Sequence, residues 1–191
     1  MIPWCTSTLW RSCEESSVGT VDYGNSEMVQ RLAACSDCPT TGQHVLHDRL
    51  IGTWNVRYIN YPETGSTRHR QGEVRFGWIL NGFAVQDVWI WHADAAYPVE
   101  RIGTTIRFFD LQLGSWRIVW IEPAAGTVIQ LKGGEAEGRI VLVGHDTDRS
   151  LLRWSFNNIE ATAFEWRGER SRDEGQTWRL ESKYHMQRRL S

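Results

Sequence analysis

The sequence predicts an all-β protein: an up-and-down antiparallel β-barrel of about ten strands, preceded by an N-terminal arm with a short helix. Three observations support this fold class. Beyond residue 50, short segments rich in Val, Ile, Trp, Phe and Thr alternate with turn-forming stretches. No convincing helical pattern interrupts these segments, so helical crossovers between parallel strands are not expected. Closing such a meander removes its exposed edges, which favours a barrel over an open sheet.

The arm comprises residues 1–46, and the barrel comprises residues 47–191. The arm is rich in Ser, Thr and Gly and contains all four cysteines: Cys5, Cys13, Cys35 and Cys38. Asn25 or Ser26 is suited to cap a helix over "EMVQRLAAC". Met28, Leu32 and Cys35 would share one face of this helix. A loop is expected to follow it.

Ten segments have the composition and length of strands. They are Thr53–Asn60, Gly72–Trp78, Phe83–His92, Ile102–Phe109, Ser115–Glu122, Thr127–Lys132, Arg139–Val143, Leu151–Asn157, Thr162–Gly168 and Thr177–Gln187. Most of the separators, such as "LNG" and "PAAG", are short enough for hairpins. An antiparallel meander is therefore expected.

Composition excludes several classes of function. A formal net charge of −2 and a pI near 6.3 give no electrostatic reason to expect nucleic acid or an anionic membrane surface as a partner. No apolar run approaches the roughly 20 residues that span a bilayer. The N-terminus lacks the features of a signal peptide, so a cytoplasmic location is expected. Oligomeric state is left open, with a homodimer as one alternative.

Two motifs resemble the calycin superfamily of lipocalins and fatty-acid-binding proteins. "LIGTWNV" at Leu50–Val56 opens the first strand with Gly-x-Trp, and "YHMQRRL" ends the last strand with Arg188 and Arg189. In that superfamily the Trp plugs the closed end of a barrel, and a late Arg lies across it. "GEVRFGWILNGFAVQDVWI" with "SRDEGQTW" is also similar to uncharacterised bacterial lipocalin-like domains. The resemblance covers roughly residues 50–190; it implies a barrel with a ligand cavity but no catalytic residue.

Side-chain alternation along the strands predicts which residues face the cavity. With Trp54 inward, Val56, Tyr58 and Asn60 also face inward. The other residues predicted to be inward are Phe83, Val85, Asp87, Trp89, Trp91, Trp116, Ile118, Trp120, Glu122, Leu152, Trp154, Phe156, Phe164, Trp166, Trp178, Leu180, Ser182, Tyr184 and Met186. Arg179, Glu181, Lys183, His185 and Gln187 should face water.

Strand direction predicts the depth of these residues in the barrel. Trp54, Trp78, Phe83, Trp116, Phe156 and Tyr184 should lie near the closed end. Tyr58, Asn60, Trp89, Trp91, Trp120, Glu122, Trp166 and Trp178 should lie toward the mouth, with Asp87 midway. Eleven tryptophans exceed what a core of this size needs. The tryptophans near the mouth therefore suggest a stacking surface for a flat ligand.

Asp87 allows two interpretations, because an inward carboxylate is costly unless it is paired or hydrogen-bonded. In the first, Asp87 forms a structural ion pair with an arginine such as Arg75 or Arg107. In the second, apolar walls raise its pKa and make it a general acid or base, together with Glu122. Tyr58 would then donate a hydrogen bond to a substrate oxygen. The candidate substrate-binding residues are Asn60, Trp89, Trp91, Trp120, Trp154, Trp166, Trp178, Arg75 and Arg107.

Metal and haem sites are disfavoured. "CSDC" at Cys35–Cys38 is a single C-x-x-C without a second pair, although "HVLH" at His44–His47 offers further ligands. Reduced thiols, or a disulfide between Cys35 and Cys38, are favoured over zinc. Nitrobindins bind haem in a related barrel through a late histidine, but alternation places His185 on the outer face. No cofactor is predicted.

Two functions follow from these features. The first is a cofactor-independent isomerase, cyclase or lyase, in keeping with specialised metabolism, that uses acid–base chemistry on a hydrophobic aromatic or polycyclic molecule inside the barrel. The second is a non-catalytic carrier of a lipophilic ligand. Inward carboxylates favour the enzyme, whereas an inward arginine paired with Asp87 would favour the carrier.

Overall fold

The computed structural model describes residues 27–33 and 45–189. Helix α1 spans Glu27–Ala33, within the predicted helix. On its predicted apolar face, Met28 is 67% exposed and Cys35 falls outside the described residues, so the shared face stays a prediction. Helix α2, Val45–Leu50, was not predicted; it lies where a loop was expected. The four cysteines and the capping residues fall outside the described residues, so their predicted roles stay predictions.

All ten predicted strands are present, and they close into a barrel. The strands are β1 Gly52–Asn60, β2 Arg68–Ile79, β3 Ala84–Trp91, β4 Arg101–Asp110, β5 Ser115–Glu122, β6 Thr127–Ala136, β7 Arg139–His145, β8 Leu151–Asn157, β9 Ala163–Ser171 and β10 Arg179–Arg188. Each strand pairs antiparallel with its sequence neighbours, and β1 pairs with β10 to complete the closure. The predicted up-and-down barrel is therefore confirmed.

The closed end of the barrel is built around Trp54. Its side chain is fully buried, and its indole Nε1 donates a hydrogen bond to the carbonyl of Leu50, 2.7 Å away, at the end of α2. Trp54 lies opposite Arg188 in the β1–β10 ladder, and the Arg188 guanidinium covers the indole ring. This arrangement confirms that the Gly-x-Trp start and the late arginine meet at one end.

Most of the predicted inward residues form the core. Those that are buried are Trp54, Val56, Tyr58, Val85, Asp87, Trp89, Trp116, Ile118, Trp120, Glu122, Leu152, Phe156, Phe164, Trp166, Tyr184 and Met186. Apolar side chains from all around the barrel thus fill its interior. The burial of these side chains removes apolar surface from water, which is the main source of stability.

The predicted placements of Phe83 and Tyr184 are wrong. Phe83 is 72% exposed, because a 3₁₀ turn at Leu80–Gly82 delays β3 to Ala84 and leaves Phe83 in the connection. Tyr184 does not lie near the closed end. It pairs with Tyr58, one inward position below the Asn60–Ser182 pair at the mouth end of the ladder. The register of the β1–β10 pair, which the sequence did not reveal, decides this depth.

Among the described residues, no helix has the length and apolar character needed to cross a membrane.

Candidate functional site

A cavity of about 200 Å³ occupies the mouth half of the barrel. Five tryptophans line it, namely Trp89, Trp91, Trp120, Trp154 and Trp166. All five were predicted as substrate-binding residues, and alternation along β3, β5, β8 and β9 brings them to one space. Ile118, Leu142 and Phe156 close the cavity at its inner end. The result is an apolar chamber with rigid walls.

The aromatic wall is a chain of ring contacts. Trp120 meets Trp91 and Trp154 edge to face, with centroid separations of 6.0 and 6.1 Å. Trp154 meets Trp166 edge to face at 5.5 Å. Trp166 then stacks on Tyr184 at 4.6 Å with an interplanar angle of 17°. Edge-to-face and stacked pairs of this kind stabilise one another, so the rings are held as flat surfaces that face the cavity.

Asp87 forms a buried ion pair with Arg107. The carboxylate is fully buried, and Arg107 on the neighbouring strand β4 donates from Nη2 to Oδ2. The other oxygen, Oδ1, accepts from the indole Nε1 of Trp89 at 2.8 Å and from the backbone N–H of Thr105 at 3.0 Å. This confirms the ion-pair alternative with Arg107. The carboxylate thus has three donors, one of which is its counter-ion, and both of its oxygens are hydrogen-bonded.

Arg107 lines the inner end of the cavity and is itself 1% exposed. Its guanidinium carbon lies 5.5 Å from the Phe76 ring centroid and 5.3 Å from that of Phe156. Burial lowers the pKa of Arg107 to about 9, so the group stays protonated at neutral pH. Its Nε and Nη1 atoms are buried and have no hydrogen-bond partner among the described residues.

Glu122, the second predicted acid, lies at the cavity mouth. Glu122 lines the cavity, and its carboxylate pairs with Arg101, the first residue of β4. The Arg101 guanidinium carbon also lies 5.9 Å from the Trp91 ring centroid. The predicted position of Glu122 near the rim is therefore correct, and this carboxylate too has an arginine partner.

A second charged group at the mouth was missed by the sequence analysis. Arg170 lines the cavity and pairs with Asp146 at 2.7 Å and with Glu181 at 2.9 Å. Glu181 was predicted to face water, but it lines the cavity. A register shift between Leu180 and Ser182 interrupts the alternation of β10 at this residue. The extra residue of a bulge gives no signal in the hydrophobic pattern.

Five predicted site residues do not line the cavity, and Asp87, described above, is one of them. The Tyr58 hydroxyl donates to the backbone carbonyls of Glu73 and Ile90, both 3.3 Å away. Asn60 accepts hydrogen bonds from Ser182 and Tyr184 through its side-chain oxygen. The remaining two are Trp178, which stacks under Arg153 at 4.1 Å, and Arg75, which pairs with Glu73 and is 60% exposed.

The buried tyrosines are neutral hydrogen-bond donors. Burial raises the pKa of Tyr184 to about 12, and burial together with the nearby Tyr184 raises the pKa of Tyr58 further above its ordinary value. Neither hydroxyl therefore loses its proton near neutral pH. Tyr184 lines the cavity, and its hydroxyl donates to the side-chain oxygen of Asn60 at 3.2 Å. The Tyr58 hydroxyl instead donates to backbone carbonyls.

Two of the histidines considered as ligands, His185 and His47, lie outside this cavity, and His44 falls outside the described residues. His185 is on the outer face of β10, as predicted, and its Nδ1 is 3.6 Å from a Glu165 oxygen. His47 is buried at the closed end, where it stacks on Trp116 at 3.9 Å and contacts Glu135 at 3.1 Å. Within residues 27–33 and 45–189, no three His, Cys, Asp or Glu side chains cluster in a way that could hold a metal ion.

Comparison with known proteins shows the fold. No protein-family model matches the sequence, and a search of curated proteins found no match. The crystal structure of Rv2717c from M. tuberculosis has a TM-score of 0.62 at 15% identity, covering 81% of this chain and 100% of that chain. The S-type phycobiliprotein lyase CPES from Guillardia theta has a TM-score of 0.54 at 9% identity, covering 78% and 93% respectively. This chain therefore has a lipocalin-like barrel fold.

Proposed function

We propose that this protein binds a small, flat aromatic molecule inside the barrel and releases it unchanged. The observation that supports this is the tryptophan-lined cavity, whose deep arginine, Arg107, is neutralised by the buried carboxylate of Asp87. Cavities that bind small molecules are concave, largely apolar and furnished with a few polar groups. The cavity of this barrel has that character.

The ion pairs favour a carrier over an acid–base enzyme. A general acid or base must exchange a proton with its substrate, and a carboxylate held by three donors, one of them its counter-ion, is poorly placed to do so. Asp87 is in that situation, and it does not line the cavity. Glu122 faces the cavity, but Arg101 holds its carboxylate. The isomerase, cyclase or lyase hypothesis would need one of these pairs to open.

The size of the cavity limits the ligand. At about 200 Å³ it is only slightly larger than an engineered apolar cavity of about 150 Å³ that holds benzene. It is smaller than the roughly 300–1,000 Å³ that is usual for drug-sized ligands. We therefore propose a ligand of one or two rings, which narrows the polycyclic class that the sequence suggested.

Ligand titrations test the proposal. Neutral one- and two-ring aromatics such as indole, naphthalene and coumarin would be titrated by calorimetry and by saturation-transfer NMR. We expect Trp154→Leu, which removes part of the wall, to weaken binding by about tenfold. Trp178→Leu is the matched control, because Trp178 is half-buried but does not line the cavity. If no probe binds the native protein, or if both variants lose affinity equally, the proposed site is wrong.

A second experiment separates carrier from enzyme. Native mass spectrometry of the freshly isolated protein would identify any co-purified ligand, which would then be incubated with excess protein. Recovery of the ligand with unchanged mass and unchanged chromatographic retention supports a carrier. Conversion that is lost in Glu122→Gln would instead establish the acid–base hypothesis, with Glu122 as the proton-transfer group.

A further inference from the structure

Buried hydrogen-bond donors of Arg107 lie at the deep end of the cavity. Arg107 lines this end, yet its Nε and Nη1 atoms are buried without a partner among the described residues. A buried donor without an acceptor is costly, and bonds made to charged groups are among the stronger ones. The aromatic rings of Phe76 and Phe156 flank the guanidinium but accept no conventional hydrogen bond. The adjoining cavity is the space from which an acceptor can come.

The charge of that acceptor follows from the ion pairs around the cavity. Arg107 is already neutralised by Asp87, and Arg170 is neutralised by Asp146 and Glu181. Neither of the arginines that line the cavity is therefore left to balance an anionic ligand. Glu122, Asp146, Glu169 and Glu181 also line the cavity, so its acidic groups outnumber its basic ones. A buried anion without its own counter-ion is strongly disfavoured.

The geometry points to a neutral aryl carbonyl compound as the ligand: its ring lies between the tryptophans, and its carbonyl oxygen accepts from Arg107. This inference rests on the proposed binding function and specifies its ligand class. A ketone, aldehyde or amide oxygen offers two lone pairs to the donors and adds no charge. The rest of the molecule is apolar and matches the walls of Trp89, Trp120, Trp154 and Trp166.

Three probes of nearly equal size test the class. Acetophenone carries a neutral carbonyl, benzoate carries an anion, and isopropylbenzene has no acceptor. Each would be titrated into the native full-length protein by calorimetry and by saturation-transfer NMR at pH 7. We expect acetophenone to bind about tenfold or more tightly than isopropylbenzene, as for a hydrogen bond to a charged donor. Benzoate should be the weakest of the three.

Two variants test whether Arg107 causes the preference for acetophenone over isopropylbenzene. In the double variant Asp87→Asn with Arg107→Met, the buried charges are removed together, so that neither is left unpaired. Acetophenone should then lose its advantage, so that the ratio of its affinity to that of isopropylbenzene falls to about one. Arg70→Met is the control, because Arg70 is also buried and its Nε has no hydrogen-bond partner within the described part of the chain, but it does not line the cavity. This control should keep the preference for acetophenone.

The outcomes distinguish this inference from the proposed function. If isopropylbenzene and acetophenone bind equally, or if benzoate binds best, the cavity binds aromatics but the carbonyl inference is wrong. If the preference persists in the double variant, Arg107 is not its source and the inference is again wrong. If none of the three probes binds, the proposed function itself fails.

Discussion

The guanidinium carbon of Arg188 lies 3.9 Å from the centroid of the Trp54 ring. The same guanidinium donates to the backbone carbonyls of Ile51, at 2.7 Å, and Arg49, at 2.6 Å, and thereby joins the last strand to the end of α2 and the start of β1. The ring of Phe164 packs edge to face with that of Trp54, and the two ring centroids are 4.6 Å apart. The stacked pair of Arg188 and Trp54 thus joins the last strand, β10, to the first strand, β1, where the barrel closes.

Trp54→Ala should lower the free energy of unfolding by about 3–5 kcal/mol, because it leaves a large cavity under Arg188 and removes the hydrogen bond to Leu50. Urea denaturation, monitored by circular dichroism, measures this change in the free energy of unfolding. Trp178→Ala, at a half-buried tryptophan outside the barrel, is the control and should cost clearly less. A loss below about 1 kcal/mol at Trp54 would contradict its role as the plug.

Asp87→Asn should destabilise the protein by about 3–5 kcal/mol, because Arg107 would keep a buried charge without a counter-ion. Adding Arg107→Met should restore much of that loss. Thermal and chemical unfolding of the two variants would show this difference. Arg139→Met, at an exposed pair with Glu137, should change stability by less than about 1 kcal/mol. An Asp87→Asn protein as stable as the native one would contradict the structural ion pair.

Gly103→Ala should disturb the cavity wall, since an added Cβ would lie 2.3 Å from a ring atom of Trp120. The ring must move, and overpacking of this kind costs about 1–3 kcal/mol. The binding of naphthalene should weaken in parallel. Gly77→Ala is the control in another strand, because its added Cβ has no atom within 4 Å. Equal effects from the two substitutions would show that the Trp120 ring does not depend on Gly103.

The β9–β10 turn should show acid-sensitive stability. Hydrogen bonds from the Thr177 side chain and backbone, and from Ser171, lower the pKa of Asp173 from its ordinary 3.8 to about 2. A carboxyl with a depressed folded-state pKa stabilises the protein above pH 4, and that contribution is lost as the pH falls from about 4 through 2. Carboxyl ¹³C NMR should show this low pKa, and Thr177→Val should raise it toward 3.8. An ordinary pKa in the native protein would contradict the turn geometry.

The sequence determined the barrel and its inward face. The period-two pattern is local, since each strand must present alternate side chains to the core. That rule placed Trp89, Trp120 and Trp166 inside, and the Gly-x-Trp resemblance placed Trp54 there. For Asp87 it left two interpretations, a structural ion pair and a general acid or base. The Gly-x-Trp start and Arg188 then identified the closed end. These inferences required no knowledge of which residues touch.

Only the tertiary structure decided the details of the cavity, because these depend on register and on pairing between strands. Arg107 pairs with Asp87, whereas Arg75 is largely exposed. The position of each arginine on its own strand decides this difference. The register shift in β10 turned Glu181 toward the mouth, and the β1–β10 register set the depth of Tyr184. A one-residue shift leaves the hydrophobic pattern almost unchanged yet exchanges the faces of a strand. The sequence therefore determined that a lined cavity exists, and the packing of the strands determined which charges surround it.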